Sequence, residues 1–204
     1  YLLKHLLEHT LGAKVGLVGT NGNMIGDEFI HTERTTPESF ELQQLFREMA
    51  DAGCTHVVME VSSHSLVLNR VAGIRFAVGA FTNLTQDHLD FHHTMQAYAE
   101  AKAKLFGVCG IGCINIDDAW SGVMTKDAKC DILRYSADGK DAELTAKNIK
   151  FMPSAVEFRA RFKGESADVR LAIPGKFSVY NALNTIAIGL ALGISLADCA
   201  EAMS

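Results

Sequence analysis

The segment from Thr82 to His93 places side chains that bind metal ions directly after an apolar, strand-like run. It reads Thr-Asn-Leu-Thr-Gln-Asp-His-Leu-Asp-Phe-His-His. Carboxylate oxygens suit magnesium and calcium, and imidazole nitrogens bind many other divalent ions. In open α/β sheets, ligands bind beyond the carboxyl ends of the strands. The segment therefore indicates phosphate and metal chemistry more than a purely structural loop.

A second unusual feature is Lys102, which lies in a helix predicted for residues 95–106. That stretch contains no glycine or proline and consists mostly of good helix formers. At about 100° per residue, Lys102 falls within the apolar stripe, whereas Lys104 falls on the opposite side, four residues after Glu100. An inward lysine extends its ammonium group to solvent, pairs with a buried acid, or loses its proton and becomes reactive. The helical pattern alone leaves these three alternatives open.

The elements that must position these residues follow an alternating pattern. Apolar runs alternate with helical periodicity through the first part of the chain, which predicts an α/β fold with a mostly parallel sheet flanked by helices. Beyond about Cys130, apolar and polar residues alternate, which predicts a small antiparallel β section near residues 130–175. The predicted strands are 14–20, 55–61, 76–81, 112–116, 156–162 and 169–173, and the main predicted helices are 1–11, 95–106 and 177–192.

Two groups of polar residues follow predicted strands. Glu60 lies at the end of the run Thr-His-Val-Val-Met, and Asp87 and His88 follow the strand that ends at Phe81. An acid and a histidine at neighbouring strand ends can share a divalent ion with phosphate oxygens. Each residue also has an ordinary alternative, since Glu60 could cap the next helix and His88 could be a hydrogen-bonded structural histidine.

Composition narrows the class of protein. The 204 residues are 48% hydrophobic, which is enough for a sizeable core. The net charge of −5 gives no basic surface for nucleic acid, so no nucleic-acid partner is expected. No apolar run approaches the roughly 20 residues that span a bilayer, and no signal peptide is recognised. The five cysteines form no Cys-x-x-Cys motif, so reduced thiols and a cytoplasmic location are expected.

Several ordered motifs resemble the central domain of Mur ligases, and the resemblance covers nearly the whole chain. They are Met59–His64, Arg70-Val71, Phe81–Leu84, Asp87–His92 and the Tyr-x-x-x-Lys motif that ends at Lys102. Within that family the motifs are most similar to the members that add a diamino acid. The resemblance implies a P-loop NTPase-like fold and ATP-dependent joining of meso-diaminopimelate or L-lysine to UDP-N-acetylmuramoyl-L-alanyl-D-glutamate. The reaction would pass through an acyl phosphate in peptidoglycan synthesis.

The resemblance also implies a set of metal ligands. The lysine at the position of Lys102 becomes carbamylated and helps to hold Mg²⁺, and the motif acid and histidine correspond to Glu60 and His88. Only a neutral amine captures CO₂, and burial favours the neutral amine, so an inward lysine suits this role. Asp87 would orient His88, as the outer partners of ligating histidines usually do.

Substrate contacts are implied at four further positions. Thr35 and Thr36 match paired threonines that bind the UDP-muramoyl dipeptide, and Thr36-Pro37 is also a strong helix-start signal, so Thr36 could equally be a helix cap. Ser62 matches a substrate-binding serine. Arg70 matches an arginine whose geometry suits the D-glutamyl carboxylate, with an ordinary surface arginine as its alternative.

Nucleotide contacts are less complete. Asn181 matches an asparagine near the adenine of ATP, but Ser178 stands where many members of the family have asparagine. No G-x-x-x-x-G-K-[ST] motif occurs in the 204 residues. The chain opens and closes within helical patterns. Residues 1–204 are therefore expected to be one central ATP-binding domain that is truncated at both ends and lacks its phosphate loop, and the isolated chain is expected to be inactive.

Three other functions remain as hypotheses. The first is a related ligase of the folylpolyglutamate synthetase type. The second is a metal-dependent phosphohydrolase that uses the acids and histidines of residues 87–93 and would act without ATP. The third is a binding module without catalysis.

Overall fold

The computed structural model describes all 204 residues, Tyr1–Ser204, and divides into two compact units. The first unit comprises Tyr1 and Leu3–Ile74, and the second comprises Leu2 and Arg75–Ser204. No helix in either unit has the length and apolar character needed to cross a membrane. All five cysteines are free thiols.

The first unit is built on a four-stranded sheet. Its elements are α1 (Leu2–Leu11), β1 (Val15–Val18), β2 (Asn23–Ile25), β3 (Glu28–Ile30), α2 (Ser39–Asp51), β4 (His56–Met59) and α3 (Ser63–Val67). The strand order is β3-β2-β1-β4, with β1 and β4 parallel and the β2–β3 hairpin antiparallel. All of β1 is buried. Helix α2 lies so close to it that a Cβ atom at Gly16 would overlap Sδ of Met49, which explains the glycine there.

The second unit is built on a six-stranded sheet with the order β10-β9-β8-β7-β6-β5. Strands β5 to β8 are parallel, and β9 and β10 add antiparallel pairs. Its strands are β5 (Phe76–Phe81), β6 (Cys109–Asn115), β7 (Asp131–Ser136), β8 (Leu144–Phe151), β9 (Val156–Phe162) and β10 (Glu165–Leu171). Its helices are α4 (Leu89–His92), α5 (Met95–Ala103), α6 (Ser121–Lys126), α7 (Lys176–Ala191) and α8 (Leu196–Glu201), with a 3-10 turn at Lys104–Gly107.

The core of the second unit fixes the helix that carries Lys102. Helix α7 packs along strands β5 to β10. A separate apolar cluster joins Ile114 of β6 to Tyr98 and Ala99 of α5, Phe106 of the 3-10 turn and Met124 of α6. These buried side chains hold α5 in a fixed rotation, so its remaining faces have defined environments.

The α/β prediction is confirmed, with two corrections. Antiparallel pairing begins between β8 and β9, because β7 is still parallel to both of its neighbours. Helix α2 begins at Ser39, and its N-cap is Glu38. Thr36 therefore does not cap the helix. Glu38 and Glu41 form a capping box instead, in which each side chain accepts a backbone N–H of the other residue.

Candidate active site

The predicted site residues occur in both units. Thr35, Thr36, Glu60, Ser62 and Arg70 belong to the first unit, whereas Asp87, His88, Lys102 and Asn181 belong to the second. Within the first unit hydrogen bonds of 2.6–3.4 Å connect the five residues, with Thr20 as the link between Thr35 and Glu60. Within the second unit His88 and Lys102 contact the Tyr98 ring, Asp87 contacts His88, and Asn181 lies on α7.

Glu60 directly follows β4, and Thr20 holds one oxygen of its carboxylate group. Its Oε2 accepts the backbone N–H of Thr20 at 3.1 Å and the Thr20 hydroxyl at 2.6 Å. Because that hydroxyl proton is used on the carboxylate, Thr35 Oγ1, at 3.0 Å, must donate to Thr20. The Oε1 oxygen is left for a further partner. A Cβ at Gly19 would lie 3.1 Å from that same oxygen, so glycine keeps this side open.

Thr36 connects the remaining residues of the first unit. Only 1% of it is exposed, and its hydroxyl donates to the Glu60 carbonyl oxygen at 2.9 Å while it accepts the Ser62 N–H at 3.1 Å. Its carbonyl oxygen accepts a longer hydrogen bond of 3.4 Å from Arg70 Nη1. The Thr36 hydroxyl thus donates to one backbone group and accepts from another, which ties the backbone of Glu60 to that of Ser62.

We predict that Thr36→Val lowers the free energy of unfolding by about 2 kcal/mol, because the part-buried carbonyl group of Glu60 and N–H group of Ser62 lose their partner while the shape is kept. Urea denaturation of the 204-residue chain measures the change. Thr35→Val is the control, since its hydroxyl meets only another hydroxyl, and we expect a loss below about 1 kcal/mol. Equal effects of the two substitutions would contradict the assigned role.

Ser62 is the N-cap of α3, and capping uses its hydroxyl group only as a hydrogen-bond acceptor. Its Oγ accepts the Ser65 N–H at 3.1 Å. An acceptor role leaves the hydroxyl proton for donation to a ligand oxygen. Ser62 can therefore cap a helix and bind a substrate at the same time.

Arg70 is the positively charged member of the five predicted site residues in the first unit. Only 16% of its side chain is exposed, and its Nη2 lies 2.8 Å from Oε1 of Glu38. Its Nε is buried and has no hydrogen-bond partner. An unmet donor on a buried guanidinium is costly, so this group is suited to gaining a second anionic partner. Arg70 is thus not a freely exposed surface arginine.

In the second unit, Asp87 and His88 directly precede α4, and His88 is the N-cap of that helix. Asp87 Oδ1 accepts the backbone N–H of His88 at 2.8 Å and lies 3.6 Å from Nδ1 of its ring. His88 adopts φ 54° and ψ 27°, in the left-handed region that non-glycine residues seldom use. Such conformations concentrate at functional sites. Its ring meets Tyr98 edge-on at 5.7 Å.

Lys102 shares that tyrosine. Its Nζ lies 5.5 Å from the centroid of the Tyr98 ring, and the side chain is half-buried, whereas Lys104 is exposed as the helical pattern predicted. Burial lowers the pKa of Lys102, and the Asp87 charge opposes this change only in part. Burial, assisted by Asp87, also raises the pKa of Tyr98, which stays a neutral phenol. The amine of Lys102 is therefore more often neutral than that of a solvated lysine.

The two histidines that follow have different surroundings. His92 is buried and stacks on Tyr98 at 5.0 Å, while His93 is exposed and has φ 64°. Across the described chain, no group of three or more His, Cys, Asp or Glu side chains forms a metal cage. The acids and histidines of residues 87–93 thus do not converge as the phosphohydrolase hypothesis requires.

A carboxylate that sequence reasoning missed lies beyond the ends of β6 and β7. Asp117 accepts Ser136 Oγ at 2.8 Å, the N–H groups of Ala137 and Asp138 at 2.7 and 2.9 Å, and the Tyr180 hydroxyl at 3.1 Å. Burial alone would raise the pKa of Asp117, but these hydrogen bonds outweigh it and the pKa is lowered. The network fixes Tyr180 next to Asn181, whose side chain is exposed.

Two other residues were missed for a shared reason. Thr20 follows β1 and Glu38 precedes α2, and neither belongs to a motif that signals chemistry by itself. The available signal was position, because both lie at element ends near other polar residues.

The first unit places an acid and hydroxyl groups beyond the ends of the parallel strands β1 and β4, and the second carries a half-buried lysine on α5 beside a mostly parallel sheet. Both arrangements are typical of ligand-binding α/β proteins. The sequence matches the Mur ligase middle domain family over residues 3–189. This chain belongs to that family.

Named relatives agree with the family match. UDP-N-acetylmuramoyl-L-alanyl-D-glutamate--2,6-diaminopimelate ligase of Caldanaerobacter subterraneus subsp. tengcongensis is 49% identical over 206 residues, which cover 100% of this chain and 42% of the relative. Ligase 1 of the same name from Clostridium acetobutylicum is 49% identical over 96% of this chain and 40% of its own length. A solved structure of such a ligase has a TM-score of 0.91 at 28% identity, covering 99% of this chain and 42% of the other. The chain thus spans less than half the length of these relatives.

Proposed function

We propose that this chain is the central part of an ATP-dependent ligase that joins 2,6-diaminopimelate to UDP-N-acetylmuramoyl-L-alanyl-D-glutamate. The observation that carries the proposal is the Thr36 cluster, which ties Glu60, the donor Ser62 and the guanidinium of Arg70 together within one unit. An arginine with an unmet donor beside a hydroxyl donor suits a carboxylate ligand. The names of relatives at 49% identity support the same substrates.

The proposed reaction has two steps. The D-glutamyl γ-carboxylate takes the γ-phosphoryl group of ATP, which releases ADP and gives an acyl phosphate. An amine of the diamino acid then attacks the acyl carbon, and phosphate leaves as the amide forms and the amine loses a proton. In such transfers, positioning and charge stabilisation supply most of the catalysis.

The residues proposed as Mg²⁺ ligands are Glu60, His88 and carbamylated Lys102. The donor set fits, because Glu60 is anchored through Oε2 and keeps Oε1 unpaired, and because burial lowers the pKa of Lys102, whose carbamate would supply an anionic oxygen. Bound Mg²⁺ would neutralise charge on the phosphoryl oxygens. The protein side chains have separate tasks: Thr20 holds the Glu60 carboxylate, and Asp87 accepts the His88 backbone N–H and lies 3.6 Å from Nδ1 of its ring.

Substrate contacts are divided among the other residues. Arg70 and Ser62 are proposed to bind the D-glutamyl carboxylate, and Thr35 offers free lone pairs because its proton points to Thr20. Thr36 is proposed to act by positioning. Asn181, exposed on α7, is proposed to contact the adenine of ATP. The proposed location is the cytoplasm, where the nucleotide-linked substrate and ATP would both be present.

The test is phosphate release and amide formation by the full-length enzyme that carries this chain. We expect release only when ATP, the UDP-linked dipeptide and 2,6-diaminopimelate are all present, with L-lysine as the competing amine. The 204-residue chain alone is expected to release no phosphate from ATP. Release of phosphate from simple phosphate esters without ATP would instead support the phosphohydrolase. Preference for a folate substrate would support the folylpolyglutamate-type ligase. If the full-length protein bound these substrates without any turnover, the result would support the hypothesis of a binding module without catalysis.

A further inference from the structure

The ion pair with Glu38 uses only part of the hydrogen-bonding capacity of the Arg70 guanidinium. Glu38 reaches Nη2 with one oxygen at 2.8 Å, the Nη1 bond to Thr36 is long at 3.4 Å, and Nε has no partner. Arginine and carboxylate groups form their strongest pairs with two parallel hydrogen bonds. A buried guanidinium with a single short partner therefore gains most from a ligand that brings two oxygens.

Glu38 is also free to leave this contact. Its side chain is 45% exposed, whereas that of Arg70 is 16% exposed, so the glutamate is the partner that solvent can accept. Its Oε1 lies 3.5 Å from Nη1 of Arg34, an exposed second cation on the same side. Glu38 therefore keeps a charged neighbour when it withdraws from Arg70.

We propose that Glu38 is an internal carboxylate that occupies Arg70 until the carboxylate of the substrate replaces it. This proposal rests on the proposed function for the identity of the substrate. In the free protein Glu38 neutralises Arg70 and holds it in place. Only a ligand with its own carboxylate can replace the ion pair that is lost. Glu38 therefore makes the site selective for carboxylate substrates, and its competition lowers their apparent affinity.

The test is Glu38→Gln in the full-length enzyme. Glutamine keeps an oxygen that can accept the Glu41 N–H and so preserves the capping box, but it removes the competing charge. We expect the KM for the UDP-linked dipeptide to fall by roughly three- to tenfold, as for one partly exposed charge pair. The KM for ATP and the kcat should both stay the same. The effect is therefore confined to the KM for the UDP-linked dipeptide.

Two further variants separate charge from contact. Glu38→Asp keeps the charge and the ability to cap but is too short to reach Arg70, so it should lower KM as the glutamine variant does. Glu41→Gln makes the same charge change one turn along α2, at a side chain that approaches Arg34 rather than Arg70. Its amide oxygen can still accept the Glu38 N–H of the capping box, so KM should stay unchanged. An unchanged or raised KM in both Glu38 variants would overturn the proposal.

A second measurement uses the 204-residue chain and needs no catalysis. N-acetyl-D-glutamate is titrated while the Arg70 Nε–H resonance is followed by ¹⁵N NMR. The resonance should respond at a severalfold lower concentration in Glu38→Gln than in the wild type. If the wild-type full-length enzyme makes no amide, the proposed function fails, and this titration still decides the exchange at Arg70. If the enzyme is active but the titration curves of wild type and variant coincide, only the exchange fails.

Discussion

Lys102→Ala in the full-length enzyme is expected to lower ligase turnover by roughly 10²–10³-fold, the usual effect of losing one group that stabilises charge in the transition state. The reason is chemical. The lowered pKa of Lys102 makes its amine available for carbamylation, and alanine removes the anionic oxygen that the carbamate would supply. Steady-state phosphate release with all three substrates measures the change, and the intact mass of the active enzyme shows whether Lys102 is modified.

Matched variants make this prediction specific. Lys102→Arg keeps a cation but cannot form a carbamate, so it should be as inactive as the alanine variant. A short carboxylate such as formate should restore part of the activity of Lys102→Ala and none of that of Lys102→Arg, whose side chain fills the space. Lys104→Ala, at the exposed lysine two residues on, should retain full activity. Full activity of Lys102→Ala, or an active enzyme with unmodified Lys102, would contradict the assigned role.

Periodicity alone predicted the contrast between the two lysines. The 100° step placed Lys102 inward and Lys104 outward, and the structure agrees because α5 is regular through Ala103. The predicted helix end was less accurate, since residues 104–107 form a 3-10 turn. That turn lets Phe106 reach the cluster around Ile114, a tertiary contact that local propensity does not encode.

The hydrogen-bond partners of the site were beyond sequence reasoning for a different reason. Thr36-Pro37 carries a strong helix-start signal, yet the Thr36 hydroxyl bonds the backbone of Glu60 and Ser62, and Glu38 caps the helix. Glu60 and Ser62, which are 24 and 26 positions from Thr36 in sequence, compete with the local helix terminus for its hydroxyl group. A pattern read along the chain identifies residues able to bond, whereas folding over long separations decides which of them do.

The Asp117 network leads to the second large effect. Asp117→Asn is expected to lower the free energy of unfolding by about 3 kcal/mol at neutral pH, because charge-assisted hydrogen bonds are each worth about 1.5–3 kcal/mol and the amide can replace only part of them. Both Ala137 N–H and Asp138 N–H point at Oδ2, so an NH₂ group at that position would face two donors. The melting temperature should fall by roughly 6–12 °C for a chain of this size.

The pH dependence of that loss identifies its cause. The pKa of Asp117 is lower in the folded protein than its ordinary value of 3.8, so its stabilisation is present above pH 3.8 and is lost as pH falls through the folded value. The stability difference between wild type and Asp117→Asn should therefore be largest near neutral pH and shrink below about pH 4. Urea denaturation at pH 7 and pH 3.5 measures it, with the exposed Asp127→Asn as the control that changes little at either pH. A difference that stays constant with pH would mean that the charge of Asp117 contributes nothing and that only the shape of the side chain matters for holding Tyr180 beside Asn181.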